Sequence, residues 1–506
     1  ILVSHSMLMS QACKSMCKVV RQMTPEHITE HFVAVVRRLV TREWYAITMM
    51  GTFLCFCRYT SRIAASGLFQ VSYDQLPPAT QAEMRAMFIQ LCRDDLPLVR
   101  KAAATALGGF ASMMDPASAT AEIVPDFLTL ASDRQDSVRC QTVENAVALA
   151  ALVPVDVKLN QLLPVVCAAA KDSAWRVRWS VGNKLPEICA AMGPDLATSV
   201  ICDQCLIPLL GDSEAEVKTV AASRAHGAAQ HMSPAHLVAK VVPACVTLAR
   251  DPSEHVRASL ASVVMKIAPF LGRDVAVQHL LPLFLQVHLL SDESSEVRLN
   301  IISNLEKVND VVGIDQLSQS LLPAIVQLAE DRQWRVRLAI IEFIPTLASQ
   351  LGVTYFEEHL MEMCMGWLCD VVFSIREAAT LNLHRLAQHF GVAWAHAHVL
   401  PRIASMHVNA NYLYRMISLH AAKVLAPLMS TDQLQHSILP LVLQLASDPV
   451  PNIRFNVAKT LETMAGQLDD AAKQTLVGPV LHTLATDPDG DVQYFAARAI
   501  HLLQQH

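Results

Sequence analysis

The stretch Asp-Arg-Gln-Asp-Ser-Val-Arg at residues 133–139 contains the pattern that decides the fold of this chain. Two further copies follow it, Asp-Ser-Ala-Trp-Arg-Val-Arg at 172–178 and Asp-Ser-Glu-Ala-Glu-Val-Lys at 212–218. Each copy has an Asp, an apolar residue five positions later and then a basic residue, and the copies begin 39 and 40 residues apart. A fixed period of this length is typical of repeat proteins in which each repeat is one supersecondary unit.

The same pattern runs along most of the chain, in steps of 39 to 41 residues. Its anchor, the residue before the basic position, is Val99, Val138, Val177, Val217, Val256, Val297, Val336, Ile375, Tyr414, Ile453 or Val492. Asn409 is the one position where the Asp five residues before the anchor is replaced. Counting back one further step from Val99 reaches Thr60, so we expect about twelve repeats.

One repeat predicts two helices joined by a polar turn. Residues 119–132 and 137–152 have apolar residues at helical spacing, and residues 133–136 between them are polar. We expect the turn Asp to cap the second helix, and the Asp and Arg columns to form a ladder of hydrogen bonds between turns. A pair of helices of this size cannot bury its own apolar face and must stack on its copies. The predicted fold is an all-α solenoid of HEAT repeats that forms a curved superhelix.

Composition supports a folded helical chain and excludes several classes of protein. Of the 506 residues 52% are apolar and 17% are charged, which argues against disorder. The formal net charge is −6, so we expect no nucleic-acid partner. The 13 cysteines are scattered, which favours a reducing compartment, and the longest apolar run, residues 44–57, is too short to cross a membrane. We therefore expect no membrane partner and a cytoplasmic location, with the nucleus left open as a second compartment.

The sequence contains no convincing catalytic or metal-binding constellation. Cys202 and Cys205 have ligand spacing, but no second pair of ligands follows in register. His384, His389 and their neighbours match no metal motif, and no glycine-rich phosphate loop is present. We expect no catalytic residues, no metal, no cofactor and no enzymatic activity.

The domain organisation predicted from the repeat is one continuous array with an irregular beginning. Residues 1–23 are interpreted as the remnant of an incomplete repeat, because the chain begins without Met and in the middle of the pattern. Residues 24–506 are expected to form a continuous HEAT-repeat solenoid. Within it, about 13 extra residues are expected in a turn at 45–58, because the helix ends at Leu39 and Leu91 lie 52 residues apart rather than 39.

Aromatic residues in the turns are the strongest indication of function. Trp175 and Trp334 each precede Arg-Val-Arg, and Phe373, Tyr412 and Tyr414 occupy the corresponding turns of the next two repeats. The tip of a turn exposes a side chain without cost to the core. Because Trp, Tyr and Arg dominate the energetic hot spots of protein interfaces, these turns predict protein-binding surfaces.

Several longer stretches resemble the scaffold (A) subunit of protein phosphatase 2A. They are residues 296–305, 316–325, 334–342, 375–380, 394–396 and 453–459. The similarity extends from about residue 18 to the end, apart from the turn insertion. In that family a HEAT-repeat scaffold holds the phosphatase catalytic subunit on its last repeats and an exchangeable regulatory subunit nearer its N-terminus. The resemblance also implies that N-terminal repeats are missing here.

Two sets of contact residues follow from this resemblance, position by position. The catalytic-subunit interface would contain Trp334, Arg335, Phe373, Tyr412, Tyr414, Asn452 and Asp491. The regulatory-subunit interface would contain Pro97, Arg100, Lys101, Trp175 and Arg176. Lys101 stands where the family usually has Arg. Lys lacks the planar guanidinium that binds a carboxylate through two parallel hydrogen bonds.

The leading hypothesis is thus a non-enzymatic scaffold of a Ser/Thr protein phosphatase. A HEAT-repeat adaptor of the nuclear-transport type is the main alternative, although longer, less uniform repeats and an acidic loop would then be expected. A HEAT-like DNA glycosylase is a second alternative, but it requires a basic face that the net charge does not favour.

Overall fold

The structure is a computed structural model that describes residues 2–41, 51–280, 289–304 and 314–503. Every regular element in these ranges is a helix, and no strand occurs among them. The chain divides into two compact units, Ile1–Val287 and His288–His506. Within each unit helices alternate in pairs at the predicted period, so the prediction of an all-α HEAT-repeat fold is confirmed.

The second helix of each pair begins directly after the polar turn that the repeat predicts. In the first unit these helices are Pro97–Ala111, Asp136–Ala150, Trp175–Asn183 continued by Leu185–Met192, Ala215–Ala229, and Glu254–Val263 continued by Val264–Ile267 and Ala268–Leu271. In the second unit they are Ser295–Ile302, Trp334–Leu351, Phe373–Phe390, Tyr412–Leu425, Pro451–Met464 and Gly490–Leu503.

The first helix of most pairs contains one wide π-type turn. Examples are Pro116–Ser118, Ala119–Ile123 and Val124–Ala131 in the first unit, and Val392–Trp394, Ala395–Val399 and Leu400–His407 in the second. The wide segment ends just before a proline, Pro125 or Pro401, at the second position of the resumed α-helix. Because proline has no N–H to donate, the helix loses one bond there and widens locally.

The other first helices follow in chain order. They are Pro25–His27 with Ile28–Phe32 and Val33–Thr41, Pro78–Cys92, Val155–Val157 with Lys158–Leu162 and Leu163–Ala169, Pro194–Leu196 with Ala197–Leu206 and Ile207–Leu210, Pro234–His236 with Leu237–Val241 and Val242–Leu248, and Arg273–Val275 with Ala276–Leu280. The second unit adds Ile314–Ala329, Val353–His359 with Met361–Trp367, Thr431–Gln433 with Leu434–Ile438 and Leu439–Gln444, and Asp470–Ala472 with Lys473–Val477 and Gly478–Leu484.

The anchor column of the sequence pattern forms part of the core of each unit. Val99, Val138, Val336 and Ile375 are completely buried, and the other Val and Ile anchors are at most 1% exposed. Only Tyr414, the aromatic member of the column, stays partly exposed. Successive second helices pack on one another, as Pro451–Met464 does on Gly490–Leu503. Each pair therefore buries its apolar face against the next, as a solenoid requires.

Glycine ends several of the second helices. Gly352 and Gly391 follow Leu351 and Phe390 with φ of 83° and 95°, in the region that a residue with a Cβ rarely adopts. Each glycine turns the chain directly into the first helix of the next pair.

The sequence predicts two irregular features at the beginning of the chain, the remnant of an incomplete repeat and an insertion in a turn. Of residues 1–23, the predicted remnant, Leu2–Val20 form one helix, and the Sγ of Cys13 lies 3.6 Å from the carbonyl oxygen of Ala64. Residues 45–50 of the predicted insertion lie outside the described residues. A helix begins at Gly51 and ends at Ser66, so residues 51–58 belong to a helix and not to a turn.

Candidate functional site

The turns of successive helix pairs are joined by a regular ladder of ion pairs. Arg139 is representative: its Nε and Nη2 donate to the carboxylate of Asp172 in the next turn, both at 2.7 Å. Its Nη1 donates to the backbone carbonyl of Asp133 in its own turn at 2.8 Å. One guanidinium thus fixes two consecutive turns. The same pairing joins Arg62–Asp94, Arg100–Asp133, Arg178–Asp212, Lys218–Asp251, Arg298–Asp331, Arg337–Asp370, Arg415–Asp448 and Arg454–Asp487.

The ladder also lowers the pKa of several of its aspartates. Burial by itself would raise the pKa of Asp172, but the hydrogen bonds from Arg139 and from the amide of Ala174 outweigh burial and lower it. At Asp487 the hydrogen bond from Arg454 is the main cause of a lowered pKa. The predicted ladder is therefore present in the structure, and at Asp172 and Asp487 its hydrogen bonds favour the charged carboxylate.

The predicted capping role of the turn Asp needs a correction. Asp133 lies two residues before the N-cap, Gln135, and its Oδ1 accepts the backbone N–H of that residue at 2.9 Å. The carboxylate is thus held in a tight turn ahead of the helix because its other oxygen must reach the arginine of the preceding repeat. The Asp orders the turn, and the helix itself begins three residues later.

One predicted contact residue, Arg100, is a member of the ladder. Its Nε and Nη2 bind Asp133 at 2.5 and 3.0 Å, and its Nη1 donates to the carbonyl oxygens of Asp94 and Asp95. These bonds commit the guanidinium to partners within the chain, and the assignment of Arg100 to the regulatory-subunit interface stays a prediction. Pro97 is the first residue of the helix Pro97–Ala111 and lies at the same turn.

A groove of about 570 Å³ in the first unit brings together the rest of the predicted regulatory set. Lys101, Trp175 and Arg176 line it, and the Arg176 guanidinium lies 4.8 Å from the centre of the Trp175 ring. Trp179, which is 39% exposed, extends the aromatic surface by one helical turn. Sequence reasoning missed Trp179, although its spacing of four residues from Trp175 places both on one helix face.

A second groove, of about 560 Å³, lies on the helices Phe373–Phe390, Tyr412–Leu425 and Pro451–Met464 of the second unit. Phe373, Tyr412 and Asn452, three of the residues assigned to the catalytic-subunit interface, line it together. Phe373 is 60% exposed and Tyr412 is 41% exposed, which is unusual for large apolar side chains.

The second groove also has charged walls that the sequence analysis did not identify. Lys459 Nζ lies 4.2 Å from the centre of the Phe495 ring, and Arg498 pairs with Glu462 at 2.8 Å. Lys423 and Glu377 line the groove as well. The surface thus combines exposed aromatic rings with fixed charges of both signs, the composition expected of a protein-binding face.

Four other residues of the predicted catalytic-subunit set lie outside this groove. Trp334 begins the helix Trp334–Leu351, and the guanidinium of Arg335 lies 4.7 Å from its ring centre, as at Trp175. Asp491 is exposed near the start of Gly490–Leu503. Tyr414 lines an adjoining cavity of about 250 Å³, which shares Arg376 and Leu413 with this groove.

The cysteine and histidine candidates do not form a site. Cys202 and Cys205 are fully buried in the segment Ala197–Leu206, and burial raises the pKa of the Cys202 thiol to about 11. His384 and His396 bond separately to the carbonyl of Val424 and to Ser437. Over the described ranges, no three His, Cys, Asp or Glu residues converge in a way that could hold a metal ion. In those same ranges no helix is both long enough and apolar enough to span a membrane.

Three family models match parts of the chain. A PPP2R1A-like HEAT repeat matches residues 203–272, a PIK3R4-like middle domain matches residues 283–392, and a HEAT repeat matches residues 438–468. All three lie within the predicted solenoid, and the HEAT repeats found in the structure extend on both sides of them.

Solved structures of similar fold belong to nuclear-transport receptors. Kap121p bound to Nup53p superimposes with a TM-score of 0.65 over 94% of this chain and 50% of its own, at 12% identity. Importin beta in an ammonium sulfate condition gives a TM-score of 0.51 over 98% of this chain and 67% of its own, at 13% identity. At such identities the likeness shows a shared fold alone.

Curated relatives with much higher identity are regulatory proteins of one phosphatase. The beta isoform of the human 65 kDa regulatory A subunit of serine/threonine-protein phosphatase 2A is 43% identical over 291 residues, 56% of this chain and 45% of the human protein. The PP2A regulatory A subunit of fission yeast (Schizosaccharomyces pombe) is 40% identical over 194 residues, 38% of this chain and 30% of that protein. The chain thus spans less than half the length of these relatives. It is a HEAT-repeat protein related in sequence to the regulatory A subunits of protein phosphatase 2A.

Proposed function

We propose that this chain is a non-enzymatic scaffold that holds the catalytic subunit of a Ser/Thr protein phosphatase and an exchangeable regulatory subunit. The observation that carries the proposal is the 43% identity to the beta isoform of the human regulatory A subunit over 291 residues. The relatives are named as regulatory subunits, which supports a role in assembly rather than catalysis. We place this activity in the cytoplasm, and the nucleus stays open as a second location.

In this proposal the catalytic subunit occupies the second unit. Phe373 and Tyr412 offer exposed rings in one groove, and Lys459 and Arg498 offer fixed charge beside them. Aromatic rings flanked by cations give both the apolar area and the orientation that a tight interface needs. Trp334 and Arg335 extend the same kind of surface to a preceding turn of that unit.

The regulatory subunit occupies the first unit, on the groove lined by Lys101, Trp175, Arg176 and Trp179. The stacked Arg176 and Trp175 side chains form a preorganised pair, so binding costs less side-chain entropy than it would with free rotamers. Separate surfaces on two units would let one regulatory subunit replace another while the catalytic subunit stays bound.

Assembly with purified subunits tests the proposal. The full chain is mixed with a phosphatase catalytic subunit, and the complex is detected by size exclusion and its affinity measured by calorimetry. We expect a stoichiometric complex that the double variant Phe373→Ala with Tyr412→Ala weakens by at least tenfold, since each ring is a candidate hot spot. Leu476→Ala is the matched control, because Leu476 is 44% exposed in the same unit but does not line the groove. Failure of the unaltered chain to form the complex would contradict the proposal.

A nuclear-transport adaptor is the second candidate, supported by the fold likeness to Kap121p and importin beta. The same purified chain distinguishes it. An adaptor of that type would bind a small GTPase of the transport cycle and leave the phosphatase subunit free, whereas the scaffold would do the reverse.

A further inference from the structure

One position of the ladder lacks its carboxylate. Arg376 follows the usual pattern within its own turn, where Nη1 donates to the carbonyl oxygens of Asp370 and Val371 at 2.7 and 3.1 Å. The next turn supplies Asn409 in place of Asp. As a result the Nε of Arg376 is buried without a hydrogen-bond partner. Within the described ranges no carboxylate lies within 4.0 Å of this guanidinium, whereas Arg337 and Arg415 on either side bind theirs through Nε and Nη2.

Asn409 cannot substitute for the missing charge. Its Oδ1 accepts the N–H of Asn411 at 2.9 Å, the same turn bond that the ladder aspartates make. Its side chain is exposed, while the aspartates of the adjacent ladder pairs are largely buried. The Arg376 guanidinium therefore keeps its ladder position, supported by the Phe373 ring at 5.8 Å, with its carboxylate-binding edge unused. An unpaired donor in a partly buried place costs free energy that a bound carboxylate would recover.

A cavity of about 250 Å³ lies beside this arginine. Arg376, Asp370, Asn411 and Tyr414 give its polar lining, and Cys369 and Leu413 are among the others. The volume far exceeds that of one water molecule, about 30 Å³ in the liquid, so an acidic side chain fits.

The rim of the cavity is apolar. Val371 and Leu413 line it and are 92% and 37% exposed, and Val408, which precedes Asn409 in the next turn, is 80% exposed. Exposed valines at adjacent turn tips leave apolar surface in water that a bound partner would bury.

From this geometry we infer that the cavity is a docking site for an acidic side chain of a protein partner, flanked in the partner by apolar residues. The acidic group takes the place of the missing ladder Asp: it enters the cavity and pairs with the Arg376 guanidinium, and its apolar neighbours cover Val371 and Leu413. The cavity includes Tyr414 from the set assigned to the catalytic subunit. The inference still goes beyond the proposed function, because it requires a carboxylate on an apolar segment and no particular subunit.

The test uses the full chain and a peptide with blocked ends, Val-Asp-Val, compared with Val-Asn-Val. Binding is followed on the side-chain Nε–H signal of Arg376 by NMR. We expect the Asp peptide to bind about tenfold more tightly than the Asn peptide, the ratio that one charge-assisted hydrogen bond gives. The variant Asn409→Asp supplies the carboxylate internally, so it should abolish peptide binding while the chain stays folded. Gln474→Glu adds the same charge at an exposed position of the same unit and should leave binding unchanged.

Three results would overturn the inference. The first is equal binding of the Asp and Asn peptides. The second is undiminished binding to the Asn409→Asp variant. The third is sodium acetate binding as tightly as the Asp peptide, because the cavity would then be a simple anion site without a protein-docking role. None of these results depends on whether the chain binds a phosphatase, so the inference and the proposed function can fail separately.

Discussion

Arg337 and Asp370 lie 33 residues apart in sequence, yet two parallel hydrogen bonds of 3.0 Å join the guanidinium Nε and Nη2 to the two carboxylate oxygens. Both side chains are only 12–13% exposed. The third nitrogen of Arg337 donates to the carbonyl of Asp331 in its own turn at 2.6 Å. The pair is thus one link in a series that fixes the spacing of successive helix pairs in its unit.

Arg337→Ala should destabilise the second unit by about 2 kcal/mol, because it leaves the Asp370 carboxylate largely buried without its cation. Arg337→Lys should lose less, as Lys retains one contact, the arrangement found naturally at Lys218 and Asp251. Hydrogen exchange of the helices Trp334–Leu351 and Phe373–Phe390 measures the effect locally, which matters because a solenoid need not unfold in one step. Arg332→Ala, an exposed position in the same turn, is the control. Equal exchange in the Arg337→Ala and Arg332→Ala variants would show that the ladder contributes no stability.

We expect the ladder aspartates to stabilise the folded chain at neutral pH and to lose this contribution in acid. The pKa values of Asp133, Asp172, Asp212, Asp448 and Asp487 are lowered in the folded chain. Their contribution is therefore complete above the ordinary Asp pKa of about 3.9 and disappears as the pH falls through the lower folded values. Thermal unfolding should show a plateau down to about pH 5 and a decline below about pH 4 from this source. In Asp487→Asn that decline should be smaller, and an identical decline would contradict the assignment.

Two histidines predict a separate loss of stability on acidification, which begins at a higher pH than the loss from the ladder aspartates. Burial lowers the pKa of His407, against the attraction of Asp448, and burial also lowers the pKa of His420. Because the unfolded chain binds protons at an ordinary His pKa of about 6.5 while the folded chain does not, the stability of this region should fall as the pH drops below about 6.5. Exchange rates in Tyr412–Leu425, corrected for intrinsic pH dependence, measure it. His436→Gln, at an exposed site, should change nothing, whereas a pH-independent rate in the unaltered chain would refute the prediction.

Trp334 and Arg335 should contribute strongly to binding of a catalytic subunit if the proposed scaffold is correct. The double variant Trp334→Ala with Arg335→Ala removes a stacked pair with a ring-to-guanidinium distance of 4.7 Å. We expect a loss of about 2 kcal/mol or more in binding free energy, measured by calorimetry. Arg332→Ala serves again as the neighbouring control. An affinity unchanged within error would exclude this turn from the interface.

Two substitutions in the groove of the first unit should change the affinity for a regulatory subunit in opposite directions. Trp175→Ala should weaken binding by about 2 kcal/mol, because it removes the ring on which Arg176 stacks. Lys101→Arg should strengthen regulatory-subunit binding, since a guanidinium can bind a carboxylate through two parallel hydrogen bonds. Val155→Ala, at a residue 68% exposed outside the groove, is the control. Loss of catalytic-subunit binding in Trp175→Ala would show that the two surfaces are not separate.

Much of the fold could be predicted from the repeat because the information is periodic and local. The period places each Val and Ile anchor in a core. Even the partners in the ladder follow from the columns of Asp and Arg. The exact turn bond did not follow: Asp133 binds the amide of Gln135 ahead of the helix, because its carboxylate also serves Arg100.

The sequence by itself determined the helix pairs, their stacking and the identity of the residues at the turns, since these depend on spacing along one chain. Only the tertiary structure decided which turn residues share a surface. Phe373, Tyr412 and Asn452 line one groove, whereas the Arg100 guanidinium donates its hydrogen bonds to partners within the chain. The unpaired Nε of Arg376 also required the structure, because a substitution at Asn409 acts on an arginine one repeat away. The physical reason is that each such contact joins side chains from successive repeats, so their distances are set by how helix pairs pack and not by spacing within one repeat.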